Sequence, residues 1–349
     1  MKVLFRCDAS AEIGSGHVMR CLTLADALAL SGARVTFVCR QQPGDLAALI
    51  ELKGYPVHRF CATESDWEAD ADRTAASAAE AGGAFDWLVV DHYRLDARFE
   101  RRMRLLGMKV LAIDDLADRP HDSDILLDQN LYGNPAGRYR GLVPPGCRTL
   151  IGPGYALLRP EFIRERQHLK RRFGKLERLL ISFGGSDPTN ETGKALAAME
   201  LLGGERPSLD VVIGSSNPHA APVGSACAAL PRCTLHTQVE NMAQLMSHAD
   251  LALGSGGSTT WERCVLGLPT LAVVVAPNQL LLTQEVAKTG AVWNLGWHAE
   301  VTPGLIADRV ARLQGAPDLL AGASERCFCV MGEPAAVHPL VPLMHGEPQ

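Results

Sequence analysis

The strand–loop–helix pattern of this chain begins with Val3-Leu4-Phe5-Arg6 and the polar loop Gly14-Ser15-Gly16-His17. The pattern recurs in the second half, where Leu179-Leu180-Ile181-Ser182-Phe183 leads into Gly184-Gly185-Ser186-Asp187. A buried apolar strand that enters a glycine-containing loop and then a helix is typical of a doubly wound α/β domain. One such beginning in each half predicts two domains.

Further short apolar runs alternate with helical segments, as expected for parallel strands covered on both faces. They are Val35–Val38, Trp87–Val90, Val110–Ile113, Ile125–Leu127, Leu209–Ile213, Leu251–Leu253 and Leu271–Val275. A charged helical stretch, Glu161 to Lys175, separates the two halves. The predicted domains are therefore residues 1–160 and 161–349. Ligands of such sheets bind beyond the carboxyl ends of the strands, which predicts a cleft between the domains.

Composition limits the function classes. The 349 residues are 47% hydrophobic, enough for two ordinary cores, and the net charge of −5 offers no basic surface for nucleic acid. The ten cysteines include no CxxC pair, which favours reduced thiols in a cytoplasmic protein. The amino terminus has no signal core, and no apolar run approaches the roughly 20 residues that span a bilayer. We expect a cytoplasmic monomer without membrane insertion that binds a small molecule.

The sharpest local signal is the loop Gly254-Ser255-Gly256-Gly257-Ser258-Thr259-Thr260-Trp261-Glu262, between a buried strand and a helix. Backbone amides from Gly257 onward and the hydroxyls of Ser258 and Thr259 can bind a diphosphate without a lysine or a metal. Glu262 lies one turn after Ser258, where its carboxylate could accept both hydroxyls of a ribose. The alternative for Glu262 is a solvated helical side chain.

The first glycine loop also predicts a site. Gly14 and Gly16 let backbone amides approach a ligand, and a dinucleotide site is disfavoured because Met19 stands where G-x-G-x-x-G/A needs a small residue. His17 begins a helix, where the dipole favours the neutral imidazole that a general base needs. The alternative is a histidine that only caps or packs. Asp8 orients the site or ends the strand; Arg20 holds phosphate or pairs with an acid.

Other candidates follow strand ends. Gly184, Gly185 and Ser186 form an amide-rich loop suited to an anionic or sugar ligand, although a plain turn is the alternative. The next residues, Asp187-Pro188-Thr189-Asn190, are explained by a helix start with Asp187 as cap and proline in the first turn. Amides at Asn278 and Gln279 could read sugar hydroxyl or acetamido groups, unless they form a solvated loop.

Two acidic segments are interpreted differently. Asp91-His92-Tyr93 lies at the carboxyl end of the run Trp87–Val90, which makes His92 and Tyr93 candidates for substrate binding. Asp122-Ser123-Asp124 imitates a metal-binding DxD motif, but it borders the strand Ile125–Leu127 and a solvated or capping role is preferred. We therefore expect no metal site and no cofactor.

Together these motifs resemble the UDP-2,4-diacetamido-2,4,6-trideoxy-β-L-altropyranose hydrolase family of pseudaminic acid biosynthesis, over about residues 1–295. The residues that carry the resemblance are Asp8 through Arg20, Asp91-His92-Tyr93, Ile113-Asp114-Asp115-Leu116-Ala117, Leu127-Asp128-Gln129-Asn130, Gly152-Pro153-Gly154-Tyr155-Ala156-Leu157-Leu158-Arg159-Pro160, Ser182 through Asn190, and Gly254 through Cys264.

The resemblance implies the GT-B fold, shared with the glycosyltransferase that makes lipid II, with UDP bound mainly by the second domain. It implies His17 as the catalytic base, Ser258 and Thr259 at the diphosphate, Glu262 at the ribose and Met242 against the uracil. The implied reaction is hydrolysis of a UDP-sugar. Two alternatives stay open: a GT-B glycosyltransferase that uses a UDP-N-acetylated sugar, and a sugar-nucleotide-binding module without turnover.

The end of the chain departs from this family. Where members close with an Asp-Gly-x-Gly-Ala segment and a basic helix, this chain reads Cys329-Val330-Met331-Gly332-Glu333-Pro334-Ala335-Ala336, without the aspartate. The sequence therefore leaves open whether the last helix forms and whether the carboxyl terminus docks on the first domain.

Overall fold

The structure is a computed structural model that describes residues 1–10, 13–61, 66–169, 174–202 and 206–346. The chain forms two compact units. The first unit is Met1–Leu157 together with the end of the chain from Ala335, and the second unit is Leu158–Pro334. None of the helices in these described ranges is both long enough and apolar enough to cross a membrane.

The first unit is built on a parallel sheet in the order β3-β2-β1-β4-β5-β6-β7. Its strands are β1 Lys2–Cys7, β2 Arg34–Arg40, β3 Val57–Phe60, β4 Trp87–Asp91, β5 Lys109–Ile113, β6 Ile125–Asp128 and β7 Arg148–Ile151. Its helices are α1 Gly16–Leu30, α2 Ala47–Leu52, α3 Trp67–Glu80, α4 Ala97–Arg104 and α13 Leu340–His345, with 3-10 turns at Pro135–Gly137 and Pro153–Tyr155. The direction of strand addition reverses between β1 and β4, which is the switch point of a doubly wound sheet.

Alternate side chains of β1 enter cores on opposite faces of this sheet. Val3, Phe5 and Cys7 pack with α1, whereas Leu4 packs with the core on the other face. Arg6 points to that second face and is fully buried. Its guanidinium forms ion pairs with Asp8 and with Asp70 of α3, each at 2.6 Å.

The end of the chain belongs to the first unit, which corrects the predicted domain of 161–349. Leu340, Val341 and Met344 of α13 are buried in the same core as Val3 and Phe5. The indole of Trp87 donates to the Met344 carbonyl at 3.0 Å. Apolar burial therefore docks this segment even though its sequence lacks the family's usual closing motif.

The second unit repeats the topology, with a parallel sheet in the order β10-β9-β8-β11-β12-β13. Its strands are β8 Arg178–Ser182, β9 Ser208–Ile213, β10 Cys233–Thr237, β11 Leu251–Ser255, β12 Thr270–Val274 and β13 Val292–Trp297. Its helices are α5 Pro160–His168, α6 Glu191–Leu201, α7 Ala220–Ala229, α8 Met242–His248, α9 Thr259–Val265, α10 Asn278–Thr289, α11 Pro303–Gln314 and α12 Pro317–Met331. The switch point here lies between β8 and β11.

Two predicted segments extend beyond what the structure describes. The helical stretch Glu161 to Lys175 corresponds to α5, which ends at His168, and residues 170–173 lie outside the described ranges. Residues 11–12 of the first glycine loop also lie outside them.

Candidate functional site

The first unit places a histidine–aspartate pair at its switch point. His17 is the second residue of α1, and Asp91 is the last residue of β4. Strand β4 pairs with β1 so that Asp91 lies opposite Cys7, close to where the loop after β1 begins. The Nδ1 atom of His17 lies 2.6 Å from Oδ1 of Asp91, and both side chains are buried.

The charge of Asp91 determines how the ring is oriented. Burial alone would raise the pKa of Asp91. The positive charge of Arg20 and the hydrogen bonds that Asp91 accepts from Arg20 and His17 instead hold that pKa well below the usual range. An ionised carboxylate only accepts hydrogen bonds, so Nδ1 of His17 donates and Nε2 keeps its lone pair in the neutral ring. Within the described ranges, no protein group bonds to Nε2 of His17. This nitrogen is available to accept a proton.

Arg20 pairs with acids. It donates to Asp91 through Nε and Nη2, both at 2.6 Å, and through Nη1 to Asp115 at 3.0 Å. Only 7% of the Arg20 side chain is exposed. Of the two roles that the sequence allowed, the structure supports acid pairing, which fixes Asp91 behind His17.

Asp8 is part of a buried ion network. Its carboxylate accepts from Arg6 at 2.6 and 2.9 Å and from the backbone N–H of Arg40 at 2.8 Å. The Nε2 atom of His92 lies 3.3 Å away, and Nδ1 of the same ring accepts from the backbone N–H of Arg94 at 3.1 Å. Both ring nitrogens of His92 are thus occupied, unlike Nε2 of His17. Burial lowers the pKa of His92, in agreement with a neutral ring.

The other predicted residues of the first unit lie near His17 in space, as Tyr93 does, or along the chain, as Gly14 and Gly16 do. The Tyr93 ring makes an edge contact with the His17 ring, with centroids 4.6 Å apart. Gly14 has a φ of 79° and donates its N–H to the Ser10 carbonyl at 2.8 Å. Such a positive φ favours glycine and turns the chain into α1, whose first residue is Gly16.

The second unit places Ser258 and Thr259 at the beginning of α9, directly after β11 and Gly257. Ser258 is the N-cap residue, and its side chain forms no capping hydrogen bond. Its hydroxyl is therefore not used to cap the helix. The backbone amides of this first turn are directed along the helix axis, as in anion sites at helix starts.

Glu262 lies on the next turn of α9 and is largely buried, with 13% of its side chain exposed. Its Oε1 accepts from Nε of Arg159 at 2.8 Å. Its Oε2 is buried and has no partner among the described residues. A buried carboxylate oxygen without a donor is costly, so a ligand hydroxyl would relieve a defect that the protein leaves.

Three further predicted segments lie at carboxyl ends of the second sheet. Gly184, Gly185 and Ser186 follow β8, Met242 begins α8 after β10 and is half-buried, and Asn278 and Gln279 begin α10 after β12. The Gln279 side chain accepts from the Val275 N–H at 3.1 Å, so this amide is partly used to hold its own turn.

The helix after the Gly184 loop begins later than predicted. α6 starts at Glu191 with Asn190 as its N-cap, and the Asn190 side chain accepts from Gly193. Asp187 instead accepts the N–H groups of Glu191 and Thr192, both at 2.9 Å. Asn190 and Asp187 thus both accept hydrogen bonds from the first N–H groups of α6, and Pro188 lies before the helix.

The acidic DxD-like segment is held by arginines of α4. Asp122 lies 3.2 Å from Arg101, and Asp124 pairs with Arg104. Asp124 also accepts the N–H of Val110 at 2.8 Å. Over the described part of the chain, no three His, Cys, Asp or Glu side chains gather as a metal site.

The sequence prediction named the segments that contain Asp91, Asp115 and Arg159, but it did not identify Asp91 as the partner of His17 and gave neither Asp115 nor Arg159 a role in the site. For Asp91 a signal existed, because strand ends on either side of a switch point meet in space. Arg159 stands in the quoted segment Gly152 to Pro160, but nothing in its spacing indicates a bond to Glu262, 103 residues away.

A curated relative, the UDP-2,4-diacetamido-2,4,6-trideoxy-β-L-altropyranose hydrolase of Campylobacter jejuni, is 32% identical over 291 residues, which are 83% of this chain and 97% of the relative. No protein-family model matches the chain.

Solved structures establish the fold. MurG of Acinetobacter baumannii superposes with a TM-score of 0.66 at 17% identity and covers 99% of each chain. UGT89C1 of Arabidopsis thaliana, complexed with UDP, gives a TM-score of 0.65 at 14% identity over 98% of this chain and 99% of its own. With the two parallel sheets, these likenesses confirm the predicted GT-B fold of two doubly wound domains.

Proposed function

Because the chain belongs to the family of UDP-2,4-diacetamido-2,4,6-trideoxy-β-L-altropyranose hydrolases, we propose that it cleaves this UDP-sugar to UDP and the free sugar in pseudaminic acid biosynthesis. The observation that carries the proposal is the His17–Asp91 pair, in which Nε2 of His17 has no hydrogen-bond partner among the described residues and can take a proton from water. A general base of this kind needs an oriented ring and an unoccupied nitrogen, and His17 has both.

The second unit is proposed to bind UDP. Amides and hydroxyls at Ser258 and Thr259 are suited to the diphosphate, and the unpartnered Oε2 of Glu262 is suited to a ribose hydroxyl. Met242 at the start of α8 is proposed to pack against the uracil. The loops at Gly184 and Asn278, at carboxyl ends of the same sheet, are candidates for the sugar.

In the proposed reaction, Nε2 of His17 accepts a proton from water while the water oxygen bonds to the anomeric carbon. The bond from that carbon to the phosphate oxygen breaks with inversion, and its electron pair leaves with UDP. Amides around the diphosphate stabilise the departing charge, so no strong general acid is required.

Hydrolysis of several UDP-diacetamido sugars, followed by NMR of both UDP and the anomeric proton, tests the activity. We expect UDP and free sugar to appear together without any acceptor. A glycosyltransferase would give little UDP until an acceptor is added, and a binding module would give none. Absence of turnover with every UDP-sugar would refute the enzyme proposal.

The site of attack is tested by hydrolysis in oxygen-18 water. Attack at the anomeric carbon puts the label in the free sugar and leaves UDP unlabelled. Label in the UDP phosphate would show attack at phosphorus and would overturn the mechanism even if hydrolysis itself is observed.

A further inference from the structure

Arg263 of the second unit is a buried guanidinium next to the Gly254–Glu262 loop. Only 2% of the residue is exposed, although it follows the partly exposed Glu262 on α9. Its Nη2 donates to the Ser255 carbonyl at 2.6 Å and to the Thr260 hydroxyl at 3.2 Å. Its Nη1 lies 3.4 Å from the Thr259 hydroxyl. The side chain therefore reaches back under the first turn of its own helix.

Among the described residues, no carboxylate forms an ion pair with this charge, although Glu262 attracts it from farther away. Within the described ranges, no Asp or Glu oxygen lies within 4.0 Å of Arg263, and its Nε has no hydrogen-bond partner. In the first unit, by contrast, the buried Arg6 and Arg20 each contact two carboxylates. Burial lowers the pKa of Arg263 to about 10, which still leaves the side chain positively charged at neutral pH. A buried cation without a counter-ion is destabilising by itself.

The cation lies at the switch point of the second sheet. Gly254 of β11 pairs with Ser182 of β8, the two strands between which the order reverses. A Cβ atom at Gly254 would come within 2.9 Å of Nη1 of Arg263 and would collide with the Ser182 carbonyl oxygen. The glycine thus makes room for the guanidinium at the place where doubly wound sheets bind their ligands.

We propose that Arg263 is a positioning residue for the anionic part of the ligand. It fixes Ser255, Thr259 and Thr260 through hydrogen bonds, and its positive charge attracts a diphosphate that is bound by the Gly254–Glu262 loop. This inference rests on the proposed function, because it assigns the diphosphate to that loop. Arg263 acts through the loop and the electric field, without touching the ligand, since its nitrogens face protein atoms. The ligand then supplies the anionic partner that no described residue provides within ion-pair distance.

Binding of UDP, uridine and inorganic pyrophosphate by calorimetry tests this role in the full chain. Replacement of the guanidinium by an apolar chain in Arg263→Met should weaken UDP and pyrophosphate roughly 10- to 100-fold, whereas uridine should change less than about 3-fold. Arg263→Lys keeps the positive charge but loses the planar set of guanidinium donors, so it should retain most of the preference for UDP over uridine.

Arg166→Met is the matched control. Arg166 also contacts α9, through the Val265 carbonyl at 3.0 Å, but it is paired with Glu333. The control should leave the ratio of UDP to uridine affinity unchanged. Equal weakening of UDP and uridine in Arg263→Met would show a purely structural role and overturn the inference.

The outcomes separate this inference from the proposed function. If the wild type hydrolyses the UDP-sugar but Arg263→Met keeps the full UDP preference, only the role of Arg263 falls. If the wild type binds no UDP, the assignment of UDP to the second unit falls as well. If Arg263→Met fails to fold, the preference for UDP over uridine is compared in the wild type and Arg263→Lys instead. A wild type that binds UDP no more tightly than uridine refutes the role of the buried charge.

Discussion

Each unit has a glycine loop beside the switch point of its sheet, and the two loops differ in how the charge around them is balanced. The loop of the first unit follows β1 and leads into α1, and the loop of the second unit follows β11 and leads into α9. Around the loop of the first unit, buried arginines and aspartates neutralise one another and leave Nε2 of His17 without a hydrogen-bond partner among the described residues. Around the loop of the second unit, a buried guanidinium has no carboxylate partner in the described ranges.

This difference teaches that topology fixes where a ligand binds, whereas the local balance of charge fixes what the site can do. In the first unit, where the buried charges are paired and the His17 ring is oriented, the site is suited to transferring a proton. An unbalanced cation beneath amides and hydroxyls is suited to holding an anion.

The largest effect is expected for His17→Ala, which removes the proposed base. Turnover should fall roughly 100- to 10,000-fold, the usual range for general base catalysis, while UDP affinity stays nearly unchanged. Steady-state kinetics and UDP calorimetry measure the two quantities. His58→Ala on β3, where His58 lies 3.4 Å from Glu80, is the control and should keep full turnover. Loss of UDP affinity in His17→Ala would contradict the division of roles between the units.

Asp91→Asn should have the next largest effect. The amide preserves shape but removes the charge that orients His17 and pairs with Arg20. Turnover should fall roughly 10- to 1,000-fold with little change in UDP affinity, because a neutral partner no longer selects the Nδ1–H tautomer. Asp26→Asn, at a partly exposed acid that accepts from Tyr55, is the control. Full turnover in a folded Asp91→Asn protein would exclude Asp91 as the group that orients His17.

Glu262→Ala tests the binding side of the comparison. Loss of charge-assisted contacts to the ribose should weaken UDP by about 1.5–3 kcal/mol, with chemistry at saturation retained. Glu161→Ala is the matched control, because Glu161 also contacts Arg159, at 3.1 Å, but lies outside the Gly254–Glu262 loop. Unchanged UDP affinity in a folded Glu262→Ala protein would remove Glu262 from the site.

Sequence periodicity predicted the central strands and missed the edges. The predicted runs coincide with β1, β2, β4, β5 and β6 and with β8, β9, β11 and β12. The missed strands, β3, β7, β10 and β13, are the outer strands of the two sheets. Edge strands are covered less completely, so their sequences, such as Val57-His58-Arg59-Phe60, lack the continuous apolar run of a buried strand.

The site was predictable where residues follow strand ends and was not predictable where partners are distant in sequence. The predicted strands mark the glycine loops that follow them, and the helix starts after these loops contain His17, Ser258 and Glu262. The pairing of His17 with Asp91 joins residues 74 apart. The lack of an ion-pair partner for Arg263 among the described residues likewise depends on which side chains the folded chain brings near it. Spacing along the chain contains neither fact.

The smallest effect concerns Asp128, an exception to the balanced charges of the first unit. The Tyr139 hydroxyl lies 2.9 Å from Asp128 Oδ2 and 3.0 Å from Asp114 Oδ2, but it has one proton to donate. Burial and the neighbouring Asp115 raise the pKa of Asp128 to about 6, against the opposing Arg138. Asp114 is held ionised, because its pKa lies well below the usual range despite burial, through His121 and Arg119. Below about pH 6, Asp128 therefore carries the second proton.

A raised carboxyl pKa stabilises the fold at low pH. The native state binds this proton more tightly than the unfolded chain, so the contribution is complete below about pH 4 and is lost as the pH rises through about 6. Between pH 5 and pH 8 the wild type should lose roughly 1 kcal/mol more stability than Asp128→Asn, whose side chain does not titrate. Thermal unfolding of both proteins at the two pH values measures this difference, with ellipticity as the signal. Tyr139→Phe removes the bridging hydroxyl and should alter the same difference. Equal losses of stability in the wild type and Asp128→Asn would show that Asp128 does not bind the extra proton.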